Sequence, residues 1–199
     1  MESLVNKLEK INKTYFTFKD IQKVSQQDPS VLKVSIFNLI KKGKLMRLKK
    51  GFYILESQNL DLEKIGQQLY SPSYISCEYA LGKYGILNQK PYTYTFITTN
   101  KTKNLLIANQ AISYQQIKKD LFFGFENING ILIASKEKAL LDQLYLTSWG
   151  RNILDFEELN LRNVSLQEFL KLAKKFPKRI NKLVEKIIPY FGKDSITIK

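Results

Sequence analysis

Residues 28–55, DPSVLKVSIFNLIKKGKLMRLKKGFYIL, confine the N-terminal part of the chain to one kind of unit, a helix that runs directly into a two-stranded hairpin. Asp28 stands where a cap is needed, Pro29 suits the first helical position, and Gly43 fits the C-terminal stop. Between them Leu32, Ile36, Leu39 and Ile40 recur with the period of a helix that packs on a core. The opposite side carries Ser30, Val34, Phe37, Asn38 and Lys41, with Lys33 at its edge. Beyond Gly43, residues 44–48 and 52–55 read as strands around a Lys49-Lys50-Gly51 turn, and Lys44, Arg47, Lys49 and Lys50 make that hairpin basic. Upstream, Leu4, Leu8 and Ile11 space as one helix. Thr17 caps a second helix with Phe18, Ile21 and Val24, and Ser25-Gln26-Gln27 turns into the third. This is helix-turn-helix spacing, and with the basic hairpin it predicts a winged helix; a three-helix protein-binding module is the plainer alternative.

Charge favours the first reading. Of a net +14, residues 1–59 hold 12 basic and 5 acidic side chains, residues 60–150 hold 9 and 7, and residues 151–199 hold 11 and 6. Two basic ends around a nearly neutral middle are the electrostatic footprint of a chain that lies on phosphates. Compositional bias accounts for any single surface lysine among the 28 but less well for the hairpin cluster. With 44% hydrophobic and 12% aromatic residues the chain can bury real cores. No apolar run approaches a membrane helix of roughly 20 residues, and MESLVNKLEK lacks a signal-peptide core, so a cytoplasmic protein without membrane contact is expected. The absence of histidine and the single Cys77 exclude a disulfide framework, zinc sites, and Ser-His or Cys-His catalysis. No cofactor, metal or catalytic residue is expected.

A polar break at residues 56–59 divides a domain of residues 1–57 from one of 58–199. The second begins with a helix from Leu62 to Tyr70, and Ser76 is placed to cap a short helix through Ala80 and Leu81. Residues 92–99 alternate aromatic or aliphatic with threonine, the period of a strand. A loop over 100–104 and further strands over 111–117, 121–126 and 131–134, the last two joined through Asn129-Gly130, predict a small, mainly antiparallel sheet. Ser135 caps a helix over 136–146 with a Leu140, Leu141, Leu144 stripe.

At the C-terminus, Ser165 and Glu168 form a capping box before Leu166, Phe169, Leu170 and Ala173. Pro177 then interrupts before a second amphipathic stripe of Ile180, Leu183, Val184, Ile187, Ile188 and Phe191. This helical hairpin carries Lys171, Lys174, Lys175, Lys178, Arg179, Lys182 and Lys186, a possible second phosphate or acidic-partner surface; a solvated lysine face is the alternative. The fold class expected is α+β.

YISCEYALGKYGIL at 74–87, the Thr98-Thr99 strand end, FFGF at 122–125 and above all IASKEKALLDQLYL at 133–146 resemble the AbiEi family of antitoxins, whose pattern "iASpEKAllDlly" follows an N-terminal winged helix. The resemblance covers residues 1 to about 147 in order; Lys136 departs from the proline common at that site. It implies an antitoxin of the abortive-infection kind that represses its own promoter and counteracts a nucleotidyltransferase toxin, the winged helix binding promoter DNA and the second domain serving antitoxicity and cooperative repression. The chain lacks the Gly-Ser and paired acidic residues of the toxin itself. Glu137, Lys138 and Asp142 could compose a metal nuclease, but helix electrostatics account for them: Glu137 in the first turn, and Lys138 with Asp142 as an i,i+4 surface pair. Tyr145, Phe123 and Phe125 read as core. Rival readings are a stand-alone regulator whose second domain senses a ligand, favoured where no nucleotidyltransferase gene adjoins, and a DNA-targeted nuclease.

Overall fold

The structure is a computed structural model and describes residues 3–11, 13–89, 91–150 and 154–192. It is a mixed α and β protein that divides into two compact units, Met1–Ile65 with Leu106–Gln110, and Gly66–Leu105 with Ala111–Lys199.

In the first unit α1 (Leu4–Glu9), β1 (Phe16–Thr17), α2 (Phe18–Ser25), α3 (Pro29–Lys41), β2 (Leu45–Lys49) and β3 (Phe52–Leu55) follow in order. Thr17 caps α2 as expected: its hydroxyl accepts from the Asp20 amide while the Asp20 carboxylate accepts from the Thr17 amide, which satisfies two end donors at once. Asp28 occupies the N-cap of α3 without a side-chain bond, and Pro29 begins the helix. Gly43, at φ +68°, ends it; the left-handed turn sends the Lys44 amide back to the Leu39 carbonyl at 2.9 Å, a closure a residue with a Cβ adopts only under strain. β2 and β3 pair antiparallel with Leu45 opposite Leu55, and Gly51 at φ +80° turns between them. β1, too short for any periodicity to announce, pairs Phe16 with Tyr53 and completes a sheet of order β1-β3-β2. Leu8, Phe16, Ile21, Leu32, Ile36, Leu45, Tyr53 and Leu55 form the core. Each aliphatic or phenyl side chain withdrawn there contributes roughly 1.5–3 kcal/mol.

α4 (Leu62–Leu69) leads to β4 (Ser73–Ile75), α5 (Cys77–Lys83), β5 (Thr93–Thr98), β6 (Lys103–Ile107), β7 (Gln110–Gln116), β8 (Phe125–Ile128) and β9 (Ile131–Ala134). The expected small, mainly antiparallel sheet is corrected here: among the described residues it has six strands in the order β6-β7-β5-β4-β9-β8, with parallel pairs beside antiparallel ones. β4 pairs antiparallel with β5 and parallel with β9, while β5 and β7 are parallel. Alternation shows which face of a strand is buried but says nothing about the direction of its neighbour. The expected loop over 100–104 overlaps β6, and the expected strand over 121–126 is instead a 3-10 turn, Lys119–Leu121, followed by β8. The expected turn at Asn129-Gly130 joins β8 to β9, with φ +54° and +84°.

α6 (Lys136–Thr147) is the axis of the second unit. Every residue from Lys138 to Leu146 is buried, so the helix has no solvent face to hold its polar residues. α7 (Leu166–Ala173) follows, its Ser165 cap accepting from the Glu168 amide at 3.3 Å. The reciprocal bond differs from the expected box: the Ser165 amide donates to Glu137 at 3.0 Å, which ties α7 to the start of α6. Pro177 breaks the chain before a 3-10 turn, Lys178–Ile180, and α8 (Asn181–Ile187), with Ile180, Val184 and Ile187 buried. Among the described residues no helix is long and apolar enough to cross a membrane.

Candidate nucleic-acid interface

α3 has one side in the core, with Leu32 and Ile36 buried and Leu39 and Ile40 packed at its margin. The other side is open. Ser30, Lys33, Val34, Phe37, Asn38 and Lys41 are all exposed, Val34 by 60% and Phe37 by 65%. Val31 joins them at 52%, and its i,i+3 spacing from Val34 is the signal that places it there. An apolar stripe of this size, flanked by an asparagine and lysines and turned to water, calls for a partner.

The hairpin places its cations unevenly. Arg47 and Lys50 are exposed, whereas Lys49 is half-buried with its Nζ 4.2 Å from the centre of the Phe52 ring, against which Tyr15 leans at 5.6 Å. The ring thus takes the Lys49 ammonium itself on its face and fixes where that charge stands. Lys44 is exposed too but lines a groove with Ser3, Asn6, Glu9, Glu56 and Ser57, so two carboxylates share its surroundings.

α2 adds residues that sequence reasoning passed over. Lys19, Gln22, Lys23, Gln26 and Gln27 line a shallow depression at the turn into α3, which gathers two ammonium and three amide groups. Their signal was the run of polar residues between the apolar positions of α2. Burial opposes ionisation of Asp20 at the head of this helix, but hydrogen bonds from Lys13, 2.7 Å away, and from Thr17 hold its carboxyl at about 2.

The second unit holds a different polar assembly. The expected surface pair of Lys138 and Asp142 is corrected: both side chains are 0% exposed and directly bonded. Asp142 Oδ2 also accepts from Tyr74 Oη at 2.9 Å and from Ser76 Oγ at 2.8 Å, and Lys138 Nζ donates to Tyr74 Oη at 2.8 Å. Ser76 therefore spends its hydroxyl on Asp142 and makes no side-chain cap for α5. The Lys138 ammonium lies 5.1–5.3 Å from the centres of the Tyr74, Phe123 and Phe176 rings. Gly124, at φ +72°, carries the FFGF turn over the lysine; a Cβ there would stand 3.1 Å from Lys138 Cγ. Burial pushes the Asp142 carboxyl up and the Lys138 ammonium down, while their mutual attraction and the hydroxyl donors to Asp142 pull each back toward its charged form. Burial, then the Asp142 charge, pushes the Cys77 thiol well up, leaving it a neutral packing group. Glu137 is engaged at Ser165, so the three residues of the nuclease reading do not converge on a solvent-facing site.

The seven cations of the C-terminal segment are all exposed. Lys171 pairs with Glu168 at 3.1 Å, a contact worth little in water. Lys175 sits 4.7 Å above the Phe123 ring, and Arg179 stacks on Trp149. Lys174 stands at the C-cap of α7, Lys178 in the 3-10 turn, and Lys182 and Lys186 on α8. Compared with protein-family models and with curated proteins, the chain matches none.

Proposed function

We propose that the chain is a promoter-binding repressor and antitoxin of the kind it resembles, the AbiEi antitoxins. Its first unit acts as a winged helix-turn-helix and its second counteracts a nucleotidyltransferase toxin. The observation that carries the DNA reading is the open face of α3, Val31, Val34, Phe37 and Asn38, joined in sequence to the basic β2–β3 hairpin. A helix of this width enters the major groove. There an asparagine pairs bidentately with adenine and apolar side chains cover thymine methyl groups, each discrimination worth about 1–3 kcal/mol. The operator read by this face is rich in A·T pairs. Arg47, Lys49 and Lys50 on the hairpin and Lys19 and Lys23 on α2 meet phosphates, which positions α3 without reading sequence.

The antitoxin half rests on the resemblance of residues 74–87, 122–125 and 133–146, and the structure brings these stretches together around one buried pair. Tyr74 and Ser76 of the first stretch bond to the pair, Phe123 and Gly124 of the second lie against Lys138, and the third supplies Lys138 and Asp142 themselves.

Binding to the promoter of the chain's own operon, followed across a salt series, tests the reading. Lys49→Ala with Lys50→Ala should flatten the log–log salt dependence by roughly two units and weaken operator and unrelated DNA alike. Asn38→Ala should lower the preference for operator over unrelated DNA by about 1–3 kcal/mol. An unchanged slope in the first variant and an undiminished preference in the second would remove the hairpin and α3 from the interface.

A further inference from the structure

We infer that the surface formed by Trp149 and the outer side of α8 binds single-stranded nucleic acid. Trp149, the only tryptophan of the chain, follows α6 and is 48% exposed. The guanidinium carbon of Arg179 lies 3.5 Å from the centre of its ring, and Arg179 Nη2 donates to the Ser148 carbonyl at 2.9 Å. Tyr145 meets the indole edge-on, at 6.3 Å and 80°. The indole is thus held by a cation that is itself anchored to the end of a helix; with Arg179 over one face, the half of the residue that stays exposed is the surface on which another ring would lie.

Basic side chains lead away from this platform, with the exposed Glu185 as the acidic residue among them on α8. Arg179, Lys182 and Lys186 stand at i, i+3 and i+7, and Lys178 at i−4 from Lys182, while Ile180, Val184 and Ile187 hold the opposite side of the helix in the core. Lys182 and Lys186 stand four residues, about 6 Å, apart along α8, and Lys178 and Arg179 precede them in the 3-10 turn, a spacing suited to an extended phosphodiester strand. Stacking on an aromatic plane combined with a basic track is the means by which unpaired bases are bound without sequence reading. A duplex hides its base faces and an acidic peptide has none, so neither would use Trp149. This surface is independent of the promoter reading, which rests on α3 and the hairpin.

Because Trp149 is the sole tryptophan, its emission in the intact chain reports the contact. Oligouridylate and oligothymidylate should quench it and bind, whereas duplex DNA of unrelated sequence and polyglutamate should leave it unchanged. Lys178→Gln with Lys182→Gln and Lys186→Gln should flatten the salt slope for a labelled strand by about two units and weaken binding about 100-fold near ~0.1 M salt. Trp149→Ala should weaken it roughly tenfold by anisotropy, and Trp149→Phe should restore most of that loss. Lys49→Ala with Lys50→Ala should change neither the quench nor this affinity, which separates a failure here from a failure of promoter binding. No quench at low salt, equal quench by duplex or polyglutamate, or equal loss in the alanine and phenylalanine variants would overturn the assignment.

Discussion

Lys138 shows how much one side chain depends on its surroundings. At i,i+4 on a water-facing helix its pair with Asp142 would contribute a few tenths of a kcal/mol; at 0% exposure, with Tyr74 and Ser76 bound to the same carboxylate, breaking it strands a charge. Lys138→Met leaves Asp142 buried without its cation, and the expected cost is about 3–5 kcal/mol in urea unfolding. Adding Asp142→Leu removes the stranded carboxylate, so the double variant should cost less than the sum of the singles by at least about 0.5–3 kcal/mol. The Tyr74 and Ser76 hydroxyls then lack their acceptor, so full recovery is not expected. Strictly additive losses would show that the two groups do not stabilise one another.

Among the helices, α2 carries the clearest electrostatic signature. The Asp20 carboxyl, held at about 2 against an ordinary 3.8, binds its proton less readily in the folded state than in the unfolded one. Its stabilising contribution is therefore complete above about pH 4 and is lost as pH falls toward 2. Asp20→Asn should cost about 1 kcal/mol at neutral pH, in keeping with a cap. Unfolding midpoints from pH 6 down to about 2 should converge for the two proteins, since the parent loses at acid pH what the variant never had. A gap that stays constant to pH 2 would place the role of Asp20 elsewhere. α2 matters to the proposed interface because it leads into α3.

For the whole chain, the proposed function assigns the two units two separate tasks. The exposed cations and apolar stripe of α3 and the hairpin lie in Met1–Ile65, whereas the buried pair and the turn over it lie in the other unit. Gly124→Ala forces a Cβ into a left-handed turn and against Lys138, at an expected cost of at least about 1 kcal/mol. In cells carrying the toxin and a promoter reporter, this variant should lose protection while retaining repression. Lys49→Ala with Lys50→Ala should do the reverse. Simultaneous loss of both activities in each folded variant, with folding checked by circular dichroism, would sink the division of labour.

Much of the first unit could be read directly from the chain, because its signals are local. Thr17 with Asp20, Pro29, Gly43 and the Lys49-Lys50-Gly51 turn each act on their own backbone within a few residues, and the period of Leu32 and Ile36 identifies the buried side of α3. What is exposed on that helix follows from what is buried. In the second unit the decisive neighbours are far apart in sequence. Tyr74 and Ser76 reach Asp142 across 68 and 66 residues, β5 and β7 run parallel past β6, and Glu137 completes a cap that begins at Ser165. Local spacing made Lys138 a surface residue and Ser76 a cap, since an ion pair and a capping hydroxyl look the same in sequence whether water or a packed wall lies beyond them. Burial is a property of the assembled layers, and it turned the same side chains from helix decoration into the polar centre of a core.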